Sequence, residues 1–149
     1  MANTENLTAQ GAPIDDSGVR ATFDTIRTCI TLFGAIGAIV LGTVAVMAFT
    51  GHETTGFMWG RGVILFLITF LLHRYANRAA QGDYKGFDRL RTLSVIMPIA
   101  IIVVDLIPGL CPAWYAVIQG LSALALIGVA VLTRNSALTA ALPAPAKKK

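Results

Sequence analysis

The amino-acid sequence predicts an all-α integral membrane protein in which four transmembrane helices form an antiparallel bundle between flexible polar termini. Of the 149 residues, 55% are apolar and 13% are charged, whereas a soluble domain carries charges at about a quarter of its positions. The charges are gathered into short blocks between long uncharged runs, and a helix needs roughly 20 apolar residues to cross the hydrocarbon layer. We therefore expect one transmembrane domain at residues 25–134, between an N-terminal tail at 1–24 and a C-terminal tail at 135–149.

The distribution of basic residues predicts the orientation. The segment HRYANRAAQGDYKGFDRLR, residues 73–91, separates two long apolar runs. Its five basic side chains are Arg74, Arg78, Lys85, Arg89 and Arg91. With four predicted spans, eleven of the twelve Lys and Arg residues fall on one side of the membrane and only Arg61 falls on the other. The positive-inside rule then places both termini in the cytoplasm of a protein of the cell membrane.

The same distribution predicts the first partner, which is the lipid bilayer. Each basic residue near an anionic leaflet contributes about 1 kcal/mol, so we expect the basic loop to lie on the cytoplasmic membrane surface. Because membrane topology accounts for the net charge of +4, no nucleic-acid partner is expected.

The first span is predicted at about 28–49. Its apolar run is longer than the hydrophobic core of a signal peptide, and the preceding segment carries four acidic residues, so cleavage is not expected. Gly34, Ala38 and Gly42 recur at every fourth position. Such small-residue faces let helices approach closely in lipid, and this one predicts a helix contact with the fourth span or with a second copy of the chain.

The remaining spans are predicted at about 57–76, 92–110 and 114–133. Pro98 lies inside the third span, where it removes a backbone donor and is expected to kink the helix. A very short turn joins the third and fourth spans, which should form a tight hairpin. The fourth span has a second small-residue face, formed by Ala116, Gly120 and Ala123.

Asp105 is the most informative single residue because an aspartate at the centre of a transmembrane helix costs about 2.5–3.5 kcal/mol. Arg61 lies at the same predicted depth, about one helical turn from the same membrane face. Gln119 lies at a comparable depth and Thr43 somewhat deeper, so these four residues predict a polar cluster in the outer third of the bundle. The cluster has two interpretations, a binding or proton site and a structural clasp that fixes helix register.

No metal, cofactor or catalytic group is expected. His52 and His73 are predicted on opposite sides of the membrane, so they cannot share a haem or a metal ion. The sequence contains no Cys-x-x-Cys motif, no phosphate loop and no nucleophile motif. Cys29 and Cys111 are also expected at opposite faces, too far apart for a disulfide within one chain, although Cys111 could join two copies.

Three functions remain open from the sequence. The first is a non-catalytic accessory, assembly or oligomer-forming component, whose partner is another membrane protein or a second copy of the chain. The second is a small solute or proton-coupled carrier that uses Asp105 and Arg61. The third is a holin-like pore former, suggested by the short loops and the charged C-terminal tail.

Overall fold

The computed structural model describes residues 17–143, and this part of the chain is entirely helical, with short turns and no strand. The all-α prediction is therefore confirmed. The predicted tail residues 1–16 and 144–149 lie outside the described residues. We number the helices α1 (Ser17–Phe49), α2 (Gly56–Ala80), α3 (Tyr84–Asp105), α4 (Ala113–Leu132) and α5 (Ser136–Ala141).

Three of these helices, α1, α2 and α4, are long and apolar enough to cross a membrane. Helix α3 differs because it carries five charged residues, one of them at its end and the other four (Lys85, Asp88, Arg89 and Arg91) within its first eight positions. Between Arg91 and Asp105 it has 13 uncharged residues, 92–104, which span about 20 Å at 1.5 Å per residue. The hydrocarbon layer is about 30 Å thick, so composition alone supports three membrane-crossing helices in a multi-pass protein.

The four long helices pack so that each contacts two others. Helix α1 lies against α2 and α4, and α3 lies against the same two helices. Helices α2 and α3 are antiparallel, because Arg61 near the start of α2 contacts Asp105 at the end of α3. At the opposite end, Gly86 near the start of α3 lies against Arg78 of α2. We call these two ends of the bundle the Arg61 end and the Gly82 end.

The core runs along the axis between the helices. In α1 one face is buried at intervals of three or four residues, through Val19, Phe23, Ile26, Ile30 and Phe33. The opposite faces of the long helices expose large apolar side chains, among them Ile39, Phe70, Ile99 and Leu121. An outer surface of this kind suits contact with lipid, since contiguous exposed apolar patches are rare on soluble monomers.

Glycines allow the closest helix approaches. A Cβ atom added to Gly86 would lie 2.8 Å from the Arg78 Cβ atom and 3.3 Å from the Ala79 nitrogen. A Cβ atom on Gly34 would meet the methyl group of Thr69 at 2.5 Å. The 2.8 Å and 2.5 Å distances are shorter than real Cβ atoms show, so glycine at these positions lets α2 pack directly against α3 and α1.

The predicted basic loop is largely helical. Helix α2 continues to Ala80, and α3 begins at Tyr84 because Asp83 caps it, its carboxylate accepting a hydrogen bond from the Lys85 nitrogen at 3.1 Å. Gly82 makes the turn with a φ of 87°, a conformation that favours glycine. Phe87, which lies within this segment, is buried in the core.

The ends of α3 and of the chain also differ from the sequence interpretation. Helix α3 ends at Asp105, five residues before the predicted boundary, since Pro108 disfavours helical geometry at the preceding residue. The predicted C-terminal tail contains α5, which begins at Ser136 and is capped by Asn135. Leu138 of α5 and Leu142, which follows the helix, lie one turn apart and are buried in the main core, so apolar spacing draws this segment onto the bundle.

Candidate functional site

The candidate site lies at the Arg61 end, where α2 begins, α3 ends and α4 begins. Thr55 caps α2, its hydroxyl accepting a hydrogen bond from the Met58 nitrogen, and this start places Arg61 in the second helical turn. Asp105 is the last residue of α3. Tyr115 follows the start of α4 at Ala113 by two residues. Three different helix ends therefore supply the side chains of the site.

Arg61 and Asp105 form a buried ion pair. The Arg61 Nη1 atom donates to Asp105 Oδ1 at 2.5 Å, and the two side chains are only 9% and 10% exposed. The Arg61 Nη2 atom also donates to the carbonyl oxygen of Ile101 at 3.3 Å. A helix C-terminus carries partial negative charge. The positive charge of the guanidinium therefore offsets both the charge of the carboxylate and the partial charge at the end of α3.

Aromatic rings complete the surroundings of the guanidinium. Its central carbon lies 5.8 Å from the centre of the Phe57 ring and 5.7 Å from the centre of the Tyr115 ring. Both distances are within the range of cation–π attraction. The thiol of Cys111 is a further neighbour, with Sγ 3.9 Å from Arg61 Nη1. Arg61 therefore joins α2 to α3, to the turn after α3 and to α4.

Cys111 lies outside the helices, in the turn between α3 and α4. Burial raises the pKa of its thiol, and the nearby Arg61 charge only partly opposes this effect. The thiol is therefore predominantly protonated at neutral pH, which makes it a weak nucleophile. Both Cys111 and Cys29 are free cysteines.

Two buried oxygen atoms at this site have no hydrogen-bond partner in the described part of the chain, Asp105 Oδ2 and the hydroxyl of Tyr115. An apolar groove of about 380 Å³ between α2 and α3 reaches Arg61 and is lined further along by Ile64 and Met97. Unpaired buried oxygens are costly. This arrangement can accept a proton, a water molecule or a small hydrogen-bond donor beside the ion pair.

The other two residues of the predicted polar cluster have different positions. Gln119 is buried in α4, where its side-chain oxygen accepts a hydrogen bond from Ser122 Oγ at 3.1 Å. Thr43 is exposed on α1, and its hydroxyl donates to the Ile39 carbonyl at 2.8 Å. The structure thus brings Arg61 and Asp105 together, keeps Gln119 inside without bonding it to them, and places Thr43 outside.

Sequence reasoning missed Tyr115, which is completely buried against Arg61. The available signal was its spacing from Gln119, since residues four apart share one helix face. It also missed the Ile101 carbonyl, because a backbone acceptor leaves no trace in side-chain patterns.

The predicted small-residue faces are divided between inside and outside. On α1, Gly34 is buried, whereas Ala38 and Gly42 are exposed. No atom lies within 4 Å of a Cβ atom built on Gly42. On α4, Ala123 is buried, and Ala116 and Gly120 are half-buried.

The remaining polar groups do not form a metal site in residues 17–143, where no group of three His, Cys, Asp or Glu side chains could hold an ion. His73 Nε2 lies 3.4 Å from the Thr31 hydroxyl, and His52 Nδ1 lies 3.0 Å from the Thr50 hydroxyl. The two histidines therefore interact with nearby threonines. The basic residues of the predicted loop gather at the Gly82 end, far along the helices from the ion pair.

Comparisons of the chain with protein-family models, with curated protein sequences and with solved structures found no match.

Breaking the ion pair from one side should destabilise the fold strongly. Arg61→Met leaves a buried carboxylate without its partner, and we expect the free energy of unfolding to fall by about 3–5 kcal/mol. The double variant Arg61→Met/Asp105→Leu should recover most of this loss, because leucine has the branched shape of aspartate without its charge. Denaturant titration in detergent micelles, followed by circular dichroism, measures both effects. If the double variant loses as much stability as the sum of the losses in the two single variants, the two residues are not energetically coupled.

Proposed function

We propose that the chain is a four-span protein of the cell membrane with both termini in the cytoplasm, and that it is a non-catalytic component of a membrane assembly. The eleven-to-one distribution of Lys and Arg residues supports the orientation. The packing of α3 supports the count of four spans, and the exposed face of α1 supports a role in assembly.

The contacts of α3 at its two ends support a fourth span. If α2 and α4 cross the membrane, α3 crosses the same layer, since it lies antiparallel to α2 from Gly86 to Asp105. Its short uncharged stretch is lengthened at the Arg61 end, where the ion pair offsets the Asp105 charge. The apolar residues Leu106 and Ile107 then follow before the turn.

The orientation can be tested by cysteine labelling in a chain whose own cysteines are replaced by serine. With a membrane-impermeant maleimide, we expect Glu53→Cys to react in intact cells, because it lies in the turn between α1 and α2. Lys85→Cys should react only after the membrane is permeabilised, because it lies at the Gly82 end, which the proposed topology places in the cytoplasm. Reaction of Lys85→Cys in intact cells would overturn the proposed topology.

The single observation that carries the assembly role is the outer face of α1. Ala38 and Gly42 are exposed one helical turn apart, with open space around Gly42, in the same i, i+4 register as the packed Gly34. Association of helices in lipid depends on close backbone approach at small residues. Such a face is complementary to itself, so a second copy of the chain, related by a two-fold axis, is the simplest partner.

A larger residue on this face should disrupt association without changing the fold. We expect Gly42→Leu to convert a dimer into a monomer, measured by light scattering during size-exclusion chromatography in a mild detergent. Gly60→Leu is the matched control, because Gly60 is exposed on α2 and also has open space where a Cβ atom would lie. If the wild-type chain is a monomer and no other protein co-purifies with it, the assembly role is ruled out. Loss of a co-purified protein with Gly42→Leu would retain that role with a different partner.

A second candidate function is a proton-coupled or small-solute carrier centred on Asp105 and Arg61. The observation that favours it is the pair of unpartnered buried oxygens, Asp105 Oδ2 and the Tyr115 hydroxyl, beside a groove that reaches Arg61. Pro98 lies within α3 and would supply a hinge, because the helix lacks one backbone hydrogen bond there.

The carrier hypothesis predicts that Asp105→Asn abolishes proton movement even in protein that circular dichroism shows to be folded, although loss of the carboxylate charge also lowers its stability. Asparagine keeps an oxygen that can accept from Arg61 but cannot exchange a proton. Proton uptake into liposomes, driven by a potassium diffusion potential and read by an internal pH dye, should fall to the level of protein-free vesicles. Equal uptake with wild type and Asp105→Asn would remove this candidate.

A further inference from the structure

The Gly82 end contains a cavity of about 360 Å³ between the end of α2 and the start of α3. We call it the basic cavity, after the four cationic side chains that line it: Arg74, Arg78, Lys85 and Arg89. Asp83 is the one acidic residue in its lining. Four positive charges against one negative charge give the cavity a strong preference for anions.

The close packing of two helix ends builds this cavity. Arg74 and Arg78 are four residues apart on α2, and Lys85 and Arg89 are four residues apart on α3, so each pair shares one helix face. The turn at Gly82 and the close approach at Gly86 bring the two faces together. Like charges at this spacing destabilise a helix, and here two such pairs also converge on each other.

Within the described residues, little negative charge opposes these cations. Within residues 17–143, Arg74, Arg78 and Lys85 form no ion pair, and the Arg89 guanidinium donates only to the hydroxyl of Tyr75, at 3.4 Å. The carboxylate of Asp83 is engaged as the cap of α3. A converging set of unpaired cations around an open cavity favours a bound anion with several acceptor oxygens, and phosphate has this chemistry.

The surface next to the cavity indicates what carries the phosphate. Leu71 lines the cavity, and Leu67 lies one turn further from the Gly82 end on the same face of α2. Both leucines are exposed, as is the neighbouring Phe70. A phosphate in the cavity would therefore have an exposed apolar strip directly beside it, as a phospholipid requires for its acyl chains and a free phosphate ion does not.

We propose that the basic cavity binds the phosphate group of an anionic phospholipid from the cytoplasmic leaflet. The proposal rests on the membrane placement proposed above, which puts the Gly82 end at that leaflet. The cavity holds the headgroup between the ends of α2 and α3, and the acyl chains lie along Leu71 and Leu67. Bound lipid thereby offsets the repulsion among the four cations and stabilises the turn at Gly82.

The test uses the full chain in mild detergent, titrated with dioctanoyl phosphatidic acid while thermal unfolding is followed by tryptophan fluorescence. We expect the lipid to raise Tm saturably in the wild type. In the double variant Arg78→Gln/Lys85→Gln, which removes one cation from each helix, the apparent affinity should fall about 25-fold, since each cation contributes about fivefold. Inorganic phosphate and dioctanoyl phosphatidylcholine at the same concentrations should leave Tm unchanged.

The matched control is Arg91→Gln/Arg134→Gln. It removes two positive charges from the same end of the bundle at positions that do not line the cavity, and it should bind the anionic lipid as the wild type does. Equal loss in both double variants would overturn the proposal in favour of diffuse charge attraction, and unchanged binding in the cavity variant would also overturn it. An equal response to inorganic phosphate would overturn the assignment to a lipid.

This experiment is independent of membrane orientation because it is performed in detergent. If labelling places Lys85 outside the cell while the cavity variant still loses lipid affinity, the proposed topology fails and the lipid site stands. If labelling agrees with the topology but the cavity variant binds normally, the topology stands and the lipid site fails.

Discussion

The Arg61–Asp105 ion pair is the interaction on which the arrangement of the helices depends. Helix α3 carries five charged residues, more than any other of the four long helices, and it ends in a carboxylate at the negative end of its own dipole. Both features oppose insertion of α3 into lipid. Arg61 offsets the second of them by bonding to the carboxylate and to the Ile101 carbonyl of the last helical turn. The pair therefore joins α2 to α3 and offsets the charge that would oppose the proposed insertion of α3 into a membrane.

The two ends of the bundle handle charge in opposite ways. At the Arg61 end, a single cation is matched to a single anion, enclosed by two aromatic rings and largely withdrawn from solvent. At the Gly82 end, several cations converge with little opposing charge from residues 17–143. The first arrangement is complete apart from two unpaired oxygens, which suits a structural role. The second leaves room for an anion from outside the chain, such as the phospholipid phosphate proposed above.

Apolar burial alone does not organise this protein, because apolar side chains cover both its interior and its outer surface. Between helices in lipid, the hydrophobic effect supplies little attraction. Steric fit and a few polar contacts therefore decide which faces meet. Gly34 and Gly86 permit the closest approaches, and the ion pair aligns α2 with α3. The exposed part of the small-residue face on α1 is then available for a contact outside the chain.

The sequence alone predicted the helical structure, the positions of the long apolar runs and the segregation of basic residues. It also predicted that Arg61 and Asp105 lie at the same depth. Each follows from hydropathy and from the rise of a helix. The sequence did not predict which face of each helix points into the bundle. A helix that is apolar on every side has no hydropathy pattern that distinguishes its inner face. Contacts within the folded bundle therefore settled that Tyr115 and Phe87 face inward, that Thr43 and Gly42 face outward, and that α5 docks on α1. These contacts join residues far apart in the chain, and their geometry depends on packing that no local pattern records.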